Sequence, residues 1–202
     1  MRLLSLIKMN YSAKELIPRA KQVEGFKNIP SNYWIIGIRS HNDKPNAFDD
    51  VFYLMQGESV IMWTSGTTNP GTPILKGGFL KYNKDGAAVL KSDKWYYNVW
   101  KYGLHQGKIP ALKQLGAPVT IYRDGDMDNK SEEIGKMTSG YYGINFHPDQ
   151  YDINGADKQS DSINGWSAGC QVCNLIDDYR RIIGIVKNQS SVTYLLLNEF
   201  SV

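Results

Sequence analysis

Residues 143–173 read GINFHPDQYDINGADKQSDSINGWSAGCQVC. A short apolar run, residues 141–146, has the character of a strand and ends on His147. A long polar, glycine-rich loop follows, and Gly-Trp-Ser-Ala-Gly then leads into Cys170, where the chain turns apolar again. Extended and looped chain alternate here without helical periodicity, and an imidazole and a thiol flank the loop. Carried into the flanks, the same alternation predicts a strand-rich α+β fold.

Upstream, residues 33–38 are aromatic and β-branched and read as a buried strand. Residues 51–56 and 59–64 flank Gly57-Glu58 and read as a hairpin, so the sheet is expected to be mostly antiparallel. Residues 64–73, TSGTTNPGTP, are too rich in glycine and proline for helix or central strand and read as a substrate-facing loop or simply a long turn. Residues 79–82 and 87–91 are short strand candidates, residues 95–102 an aromatic core or wall, residues 110–115 a helical turn and residues 119–123 a strand. Residues 124–128 open like a calcium loop, but the twelfth position is Gly135 rather than glutamate, which leaves an acidic turn. Residues 12–24 form an amphipathic helix capped by Ser12 with Glu15 behind it, weakened by Pro18. Downstream, Asn174 is placed to cap a helix carrying Leu175, Ile176, Tyr179, Ile182, Ile183 and Val186 at helical spacing, and residues 191–198 close the chain as a strand. Residues 1–30 are an N-terminal helical segment on the core, and residues 31–202 the main domain.

The chain has 202 residues, 42% of them hydrophobic, and a net charge of +3 whose basic residues are scattered, so nucleic-acid binding gains no support. No apolar run is long enough for a membrane helix, and the start of the chain is too short in apolar residues for a secretory leader. The expectation is a protein made in the cytoplasm. Two cysteines, Cys170 and Cys173, exclude a disulfide scaffold. Three histidines offer no paired ligand set for zinc. A thioredoxin-like pair would open a helix after a strand, whereas a polar loop precedes this one.

A thiol attacks as thiolate, and two groups are in sequence reach to help: His147 as base, and the start of the Asn174 helix, whose N–H groups favour negative charge. The bland alternative, that Cys170 is a small buried hydrophobe and His147 a loop histidine, stands beside this on residue types alone. Ser167-Ala-Gly-Cys170, the strand ending in histidine and the Gly-Thr/Pro-Gly-Thr-Pro loop together resemble the L,D-transpeptidase catalytic domain of the YkuD type. Gly37-Ile-Arg39-Ser, Phe48-Asp-Asp50, Gly66-Thr-Thr-Asn-Pro-Gly71, Gly103-Leu-His105-Gln-Gly, Tyr122-Arg-Asp124 and Trp166-Ser-Ala-Gly-Cys-Gln-Val172 are similar to a divergent phage and bacterial subgroup of it.

The resemblance implies a mixed β-sheet core, Cys170 as nucleophile, His147 as base, and Ser167 and Gly169 as the backbone shell of the motif. It nominates Arg39, His105, Thr67, Trp166 and Asn145 for the substrate cleft and implies neither metal nor cofactor. Arg39 is the candidate for a substrate carboxylate, or else the partner of Asp49 or Asp50, and Arg123 and Asp124 are expected to fix one another. Two departures stand out: the family's motif histidine is Ala168, and the gap from His147 to Cys170 is toward the long side. The implied partner is a peptidoglycan stem peptide, which a Cys170 acyl-enzyme would pass to water as a phage-released endolysin-like hydrolase or to an amine as a transpeptidase. A wall-binding or virion protein of the same fold, with the aromatic segment and Trp166 lining a groove, is the non-catalytic alternative.

Overall fold

The computed structural model describes residues 10–42, 44–156 and 158–202. The start of the chain, on which the export expectation rests, lies outside them. Strand β1 (Tyr33–Arg39) shows how the fold is built. Its residues are buried on both faces because the period of two sends them into different apolar clusters. Ile35 points inward with Phe52, Leu54, Tyr194 and Leu196. Trp34, Ile36 and Ile38 point outward beneath Leu16, Ile17 and Ala20. The same split governs β2 (Asp50–Gln56) and β11 (Val192–Asn198), its neighbours. A strand covered on both sides reads as a continuous apolar run, which is why the sequence marked it so clearly.

The outer cover is helix α1 (Ala13–Gln22). Glu15 Oε2 accepts both the backbone N–H and the hydroxyl of Ser12, at 2.6 and 2.7 Å, and this closure starts the helix at Ala13. Pro18 is accommodated within it.

The remaining barrel strands are β3 (Ser59–Thr67), β5 (Lys94–His105), β6 (Ile109–Gln114), β9 (Phe146–Pro148) and β10 (Gln171–Cys173). They close in the order β1-β11-β5-β6-β9-β10-β3-β2. All its pairings are antiparallel except β1·β11 and β9·β10. A second sheet, in the order β4-β7-β8, comprises β4 (Ala87–Leu90), β7 (Val119–Asp124) and β8 (Met137–Gly140). Helix α2 (Ile176–Val186) sends Tyr179, Ile182 and Val186 into the inward-facing cluster. The protein is thus α+β and strand-rich. Among the described residues no helix is long and apolar enough to cross a membrane.

Four local expectations are corrected. Residues 64–67 are strand, because Gly66 lets β3 approach β10 where a side chain would meet the Val172 carbonyl and the Phe52 ring. Residues 110–115 lie mostly in β6. Pro110 is tolerated because its carbonyl accepts the Tyr179 hydroxyl at 2.6 Å, so that side of the strand needs no ladder donor there. Residues 79–82 are successive turns after Gly77, whose φ is +91°. Asn174 does not cap α2: its side-chain oxygen accepts the Ser65 hydroxyl at 2.7 Å, and Leu175 is the cap. In residues 95–102, Trp95, Tyr96 and Trp100 are buried, so these three are core.

Candidate functional site

Parallel pairing of β9 and β10 sets His147 opposite Val172. Cys170 stands just before β10, at the same end, and the Gln171 N–H reaches back to the Asn145 carbonyl at 2.8 Å. His105 closes β5 nearby, and its ring stacks on that of His147 with centroids 4.1 Å apart and planes 17° from parallel. A ring nitrogen of each histidine and Cys170 Sγ all lie within 4.8 Å of one another. The two residues that flank the quoted loop therefore meet.

The histidine's orientation follows from its hydrogen bonds. His147 is fully buried, and its Nδ1 lies 2.8 Å from the Pro148 carbonyl, an acceptor only, so Nδ1 carries the proton. Nε2 is then the basic nitrogen, and it is buried with no partner. Burial is the main reason that the His147 pKa falls to about 3, and the adjacent His105 adds to it. The tautomer of His105 is fixed by the same logic. Asn145 Oδ1 accepts the Gln114 N–H at 2.8 Å, which leaves its amide nitrogen to donate to His105 Nδ1 at 2.9 Å. His105 too is held toward the neutral form, chiefly by burial and then by Lys113.

Cys170 is partly buried, and its thiol donates to the Gly143 carbonyl at 3.4 Å. Burial pushes its pKa up to about 11, against which the Asn145 backbone N–H works. The expected field of a helix start is absent here, because β10 intervenes and α2 begins only at Ile176. The resting pair is a neutral thiol beside a neutral imidazole.

The Ser-Ala-Gly-Cys turn has a structural logic. The Ser167 hydroxyl accepts the Gly169 N–H at 3.1 Å and donates to the Cys170 carbonyl at 2.8 Å. Gly169 has φ +126°, and a side chain on it would strike the Ala88 carbonyl. Ser167 O and Ala168 O accept the N–H groups of Gly71 and Ala88, which clamps the turn between the Gly71 loop and strand β4. Gln171, which the sequence did not single out, ties it from beneath: its amide donates to Gly169 O at 3.3 Å and its oxygen accepts the Tyr194 hydroxyl at 2.7 Å.

The comparisons are silent. No protein-family model, curated protein or solved structure matches this chain. What the site can do is read from its own chemistry.

Two nitrogens and a sulfur are a plausible zinc donor set, but stacked rings send their in-plane lone pairs side by side rather than toward one point. The arrangement favours thiol–imidazole chemistry. A disulfide is ruled out by reach: Cys173 is buried in β10, three residues along an extended chain from Cys170, a separation of about 10 Å where a disulfide needs less than ~7 Å.

Other nominated residues are placed as follows. Asn145 and His105 belong to the site. Arg39 is 7% exposed and is consumed internally: Nε donates to Thr68 Oγ1, Nη1 to Glu133 and Nη2 to the Leu90 carbonyl. Its ion pair is thus with Glu133. Thr67 is buried, and its hydroxyl accepts the Asn69 N–H. Trp166 is half-buried against the exposed Tyr151, with ring centroids 5.0 Å apart. Arg123 and Asp124 do not fix one another: Arg123 donates to Gly86 O and lies over the Tyr142 ring, and Asp124 accepts the Glu132 N–H. Arg123 also lines an open cleft of about 510 Å3 with Lys84, Asp85, Gly125 and Lys136.

Proposed function

We propose that the protein is a cysteine-dependent hydrolase of peptidoglycan stem peptides, acting through an acyl-enzyme on Cys170 with His147 as base. The observation that carries this is the convergence of Cys170 Sγ and His147, with the imidazole locked by Pro148 O so that its unpartnered Nε2 is the basic nitrogen. A general base needs such an orienting partner, and the Pro148 carbonyl supplies it here. The substrate class rests on the resemblance of the Ser-Ala-Gly-Cys turn to L,D-transpeptidases.

In this mechanism the Cys170 proton passes to His147 Nε2 as sulfur attacks the amide carbonyl. The C–N bond then breaks, and the departing amine takes the proton from His147. Water attacks the thioester, His147 accepts its proton, and the C–S bond breaks to restore the thiol. Since neither group is charged at rest, proton transfer accompanies attack rather than preceding it.

Incubation with purified muropeptides, followed by mass spectrometry, tests the proposal. Loss of terminal residues or split crosslinks is the expected result. New dimers would make the protein a transferase, and no change at all would leave a binding module. Cys170→Ala is expected to lower turnover at least about a thousandfold, whereas Cys173→Ala, in a buried side chain bonded to Thr64 and Leu175, keeps it. A dead Cys173→Ala variant with an intact fold would refute the assignment of the nucleophile.

A further inference from the structure

Two histidines meet at Cys170, and their hydrogen bonds give them opposite tautomers. His147 is protonated on Nδ1, which the Pro148 carbonyl holds at 2.8 Å, and its bare Nε2 is sealed in the interior. His105 is the reverse. Asn145 Oδ1 is committed to the Gln114 N–H at 2.8 Å, so the Asn145 amide nitrogen donates to His105 Nδ1 at 2.9 Å and the His105 proton sits on Nε2. One ring is left with a lone pair and the other with an N–H.

The anchor of His105 is rigid. Asn145 is 7% exposed, and its carbonyl accepts the Gln171 N–H at 2.8 Å. Gln114, whose N–H orients the Asn145 side chain, also accepts the N–H groups of Tyr142 and Ile144 on its own side-chain oxygen, at 2.9 and 3.1 Å. The far edge of the His105 ring is open by contrast. The residue is half-buried, and among the described residues its Nε2 has no hydrogen-bond partner and is not a sealed atom as His147 Nε2 is.

A carbonyl attacked by a thiol needs a donor for the charge that develops on its oxygen. The N–H groups on either side of Cys170 are already bonded, that of Gly169 to Ser167 Oγ at 3.1 Å and that of Gln171 to the Asn145 carbonyl at 2.8 Å. A donor to the oxygen must lie roughly 3–6 Å from the sulfur, one bond angle and one hydrogen bond away. A ring nitrogen of His105 lies within 4.8 Å of Cys170 Sγ.

We propose that His105 is a catalytic residue of the hydrolase, donating its Nε2–H to the carbonyl oxygen that becomes the oxyanion. The role rests on Cys170 being the attacking group, and it assigns the second histidine of that site. His105 neither gains nor gives up a proton. Its N–H···O bond tightens as the C=O π bond gives way to C–S, and relaxes when the carbonyl re-forms and C–N breaks. His147 alone carries the proton, since Asn145 occupies the lone pair of His105. A neutral imidazole can polarise a carbonyl in this way, and burial, with Lys113 adding to it, favours the neutral form of His105.

Long-range 1H–15N NMR of the unsubstituted protein at pH ~7 reads the tautomer without substrate. His105 should show a protonated Nε2 and a bare Nδ1, and a proton on Nδ1 overturns the proposal. His105→Phe keeps a flat ring against His147 but has no N–H. With muropeptides it should lower kcat at least about a hundredfold and change KM by less than about threefold, as loss of a transition-state donor does. A kcat within about threefold of the unsubstituted protein, or a loss confined to KM, overturns the role. Addition of Cys170 to the peptide aldehyde acetyl-alaninal, followed by protection of the thiol from iodoacetamide, reads the same contact without turnover. Sulfur bonds to the aldehyde carbon and the thiol proton passes to the oxygen, the atom that His105 holds. The Phe variant should form this adduct at least about tenfold more weakly, and equal affinity overturns the role. If the unsubstituted protein leaves muropeptides unchanged while the tautomer and the aldehyde results hold, the substrate class fails and the His105 donor stands.

Discussion

His147 and Cys170 show how far a residue's type carries and where it stops. Both were legible as a pair, and so was Gly169 as a place of close backbone approach, whereas Ser167 was nominated only by the resemblance of its motif. The Pro148 and Gly143 carbonyls that orient the pair were not legible, since every residue has a carbonyl and nothing in a side chain marks the one that will be used. Arg39 failed for a different reason. Its partner Glu133 is remote in sequence, and no local pattern distinguishes a guanidinium consumed by the fold from one offered to a substrate. The electrostatics yield a test. With the Cys170 thiol pushed up to about 11 and His147 down to about 3, iodoacetamide should alkylate Cys170 slowly at pH 7 and faster as pH rises, without levelling off below pH ~9. Cys173, held at about 12 by burial, should stay unmodified in the folded protein. A rate plateau at neutral pH, read by mass spectrometry of the labelled peptides, would reveal a thiolate–imidazolium pair instead.

Among the elements, those with a strong apolar period were read correctly and those governed by close approach were not. Strands β1, β2 and β11 and helix α2 each bury regular sets of large side chains. Strand β3 continues past Thr64 on the strength of a glycine, which the sequence presents as a breaker. Strand β6 carries a proline, which the sequence likewise counts against a strand. In both cases a distant partner decides, β10 for Gly66 and the Tyr179 hydroxyl for Pro110. Gly66→Ala therefore has a definite expectation. The added methyl must enter the space of the Val172 carbonyl and the Phe52 ring, neither of which can yield without moving a strand or the inner core. Overpacking of this kind costs about 1–3 kcal/mol. Because β10 follows Cys170 directly, the proposed hydrolase activity should fall further than stability alone explains. Urea denaturation reads the first effect, and a loss below about 0.5 kcal/mol, the scale of a neutral surface change, would contradict the β3·β10 register.

At the scale of the whole molecule, the closed barrel has a cost that pH exposes. It buries His147 completely and in neutral form, with the folded pKa near 3 against an ordinary value of 6.5. Between those two values the unfolded chain holds a proton on His147 that the folded protein does not. Stability from this group is therefore fully present above pH ~6.5 and lost as pH falls toward 3, by up to 1.4 kcal/mol per pH unit. His105, shifted in the same direction, adds to the loss. Asp50 opposes it: buried in the barrel wall with its folded pKa raised, it favours the folded state more as pH falls. A bare acid-denaturation curve mixes these signs, so the informative quantity is a difference. Unfolding free energies of the unsubstituted protein and His147→Asn, measured by urea at several pH values from 7 to 4.5, should converge on acidification. The asparagine variant has lost the Pro148 hydrogen bond and some packing, so it starts lower, but it has no proton to take up and its curve is flatter by about 1 kcal/mol per pH unit below pH 6. Parallel curves would mean that His147 gains its proton in the folded protein as easily as in the unfolded chain, and the buried neutral base on which the site depends would not exist.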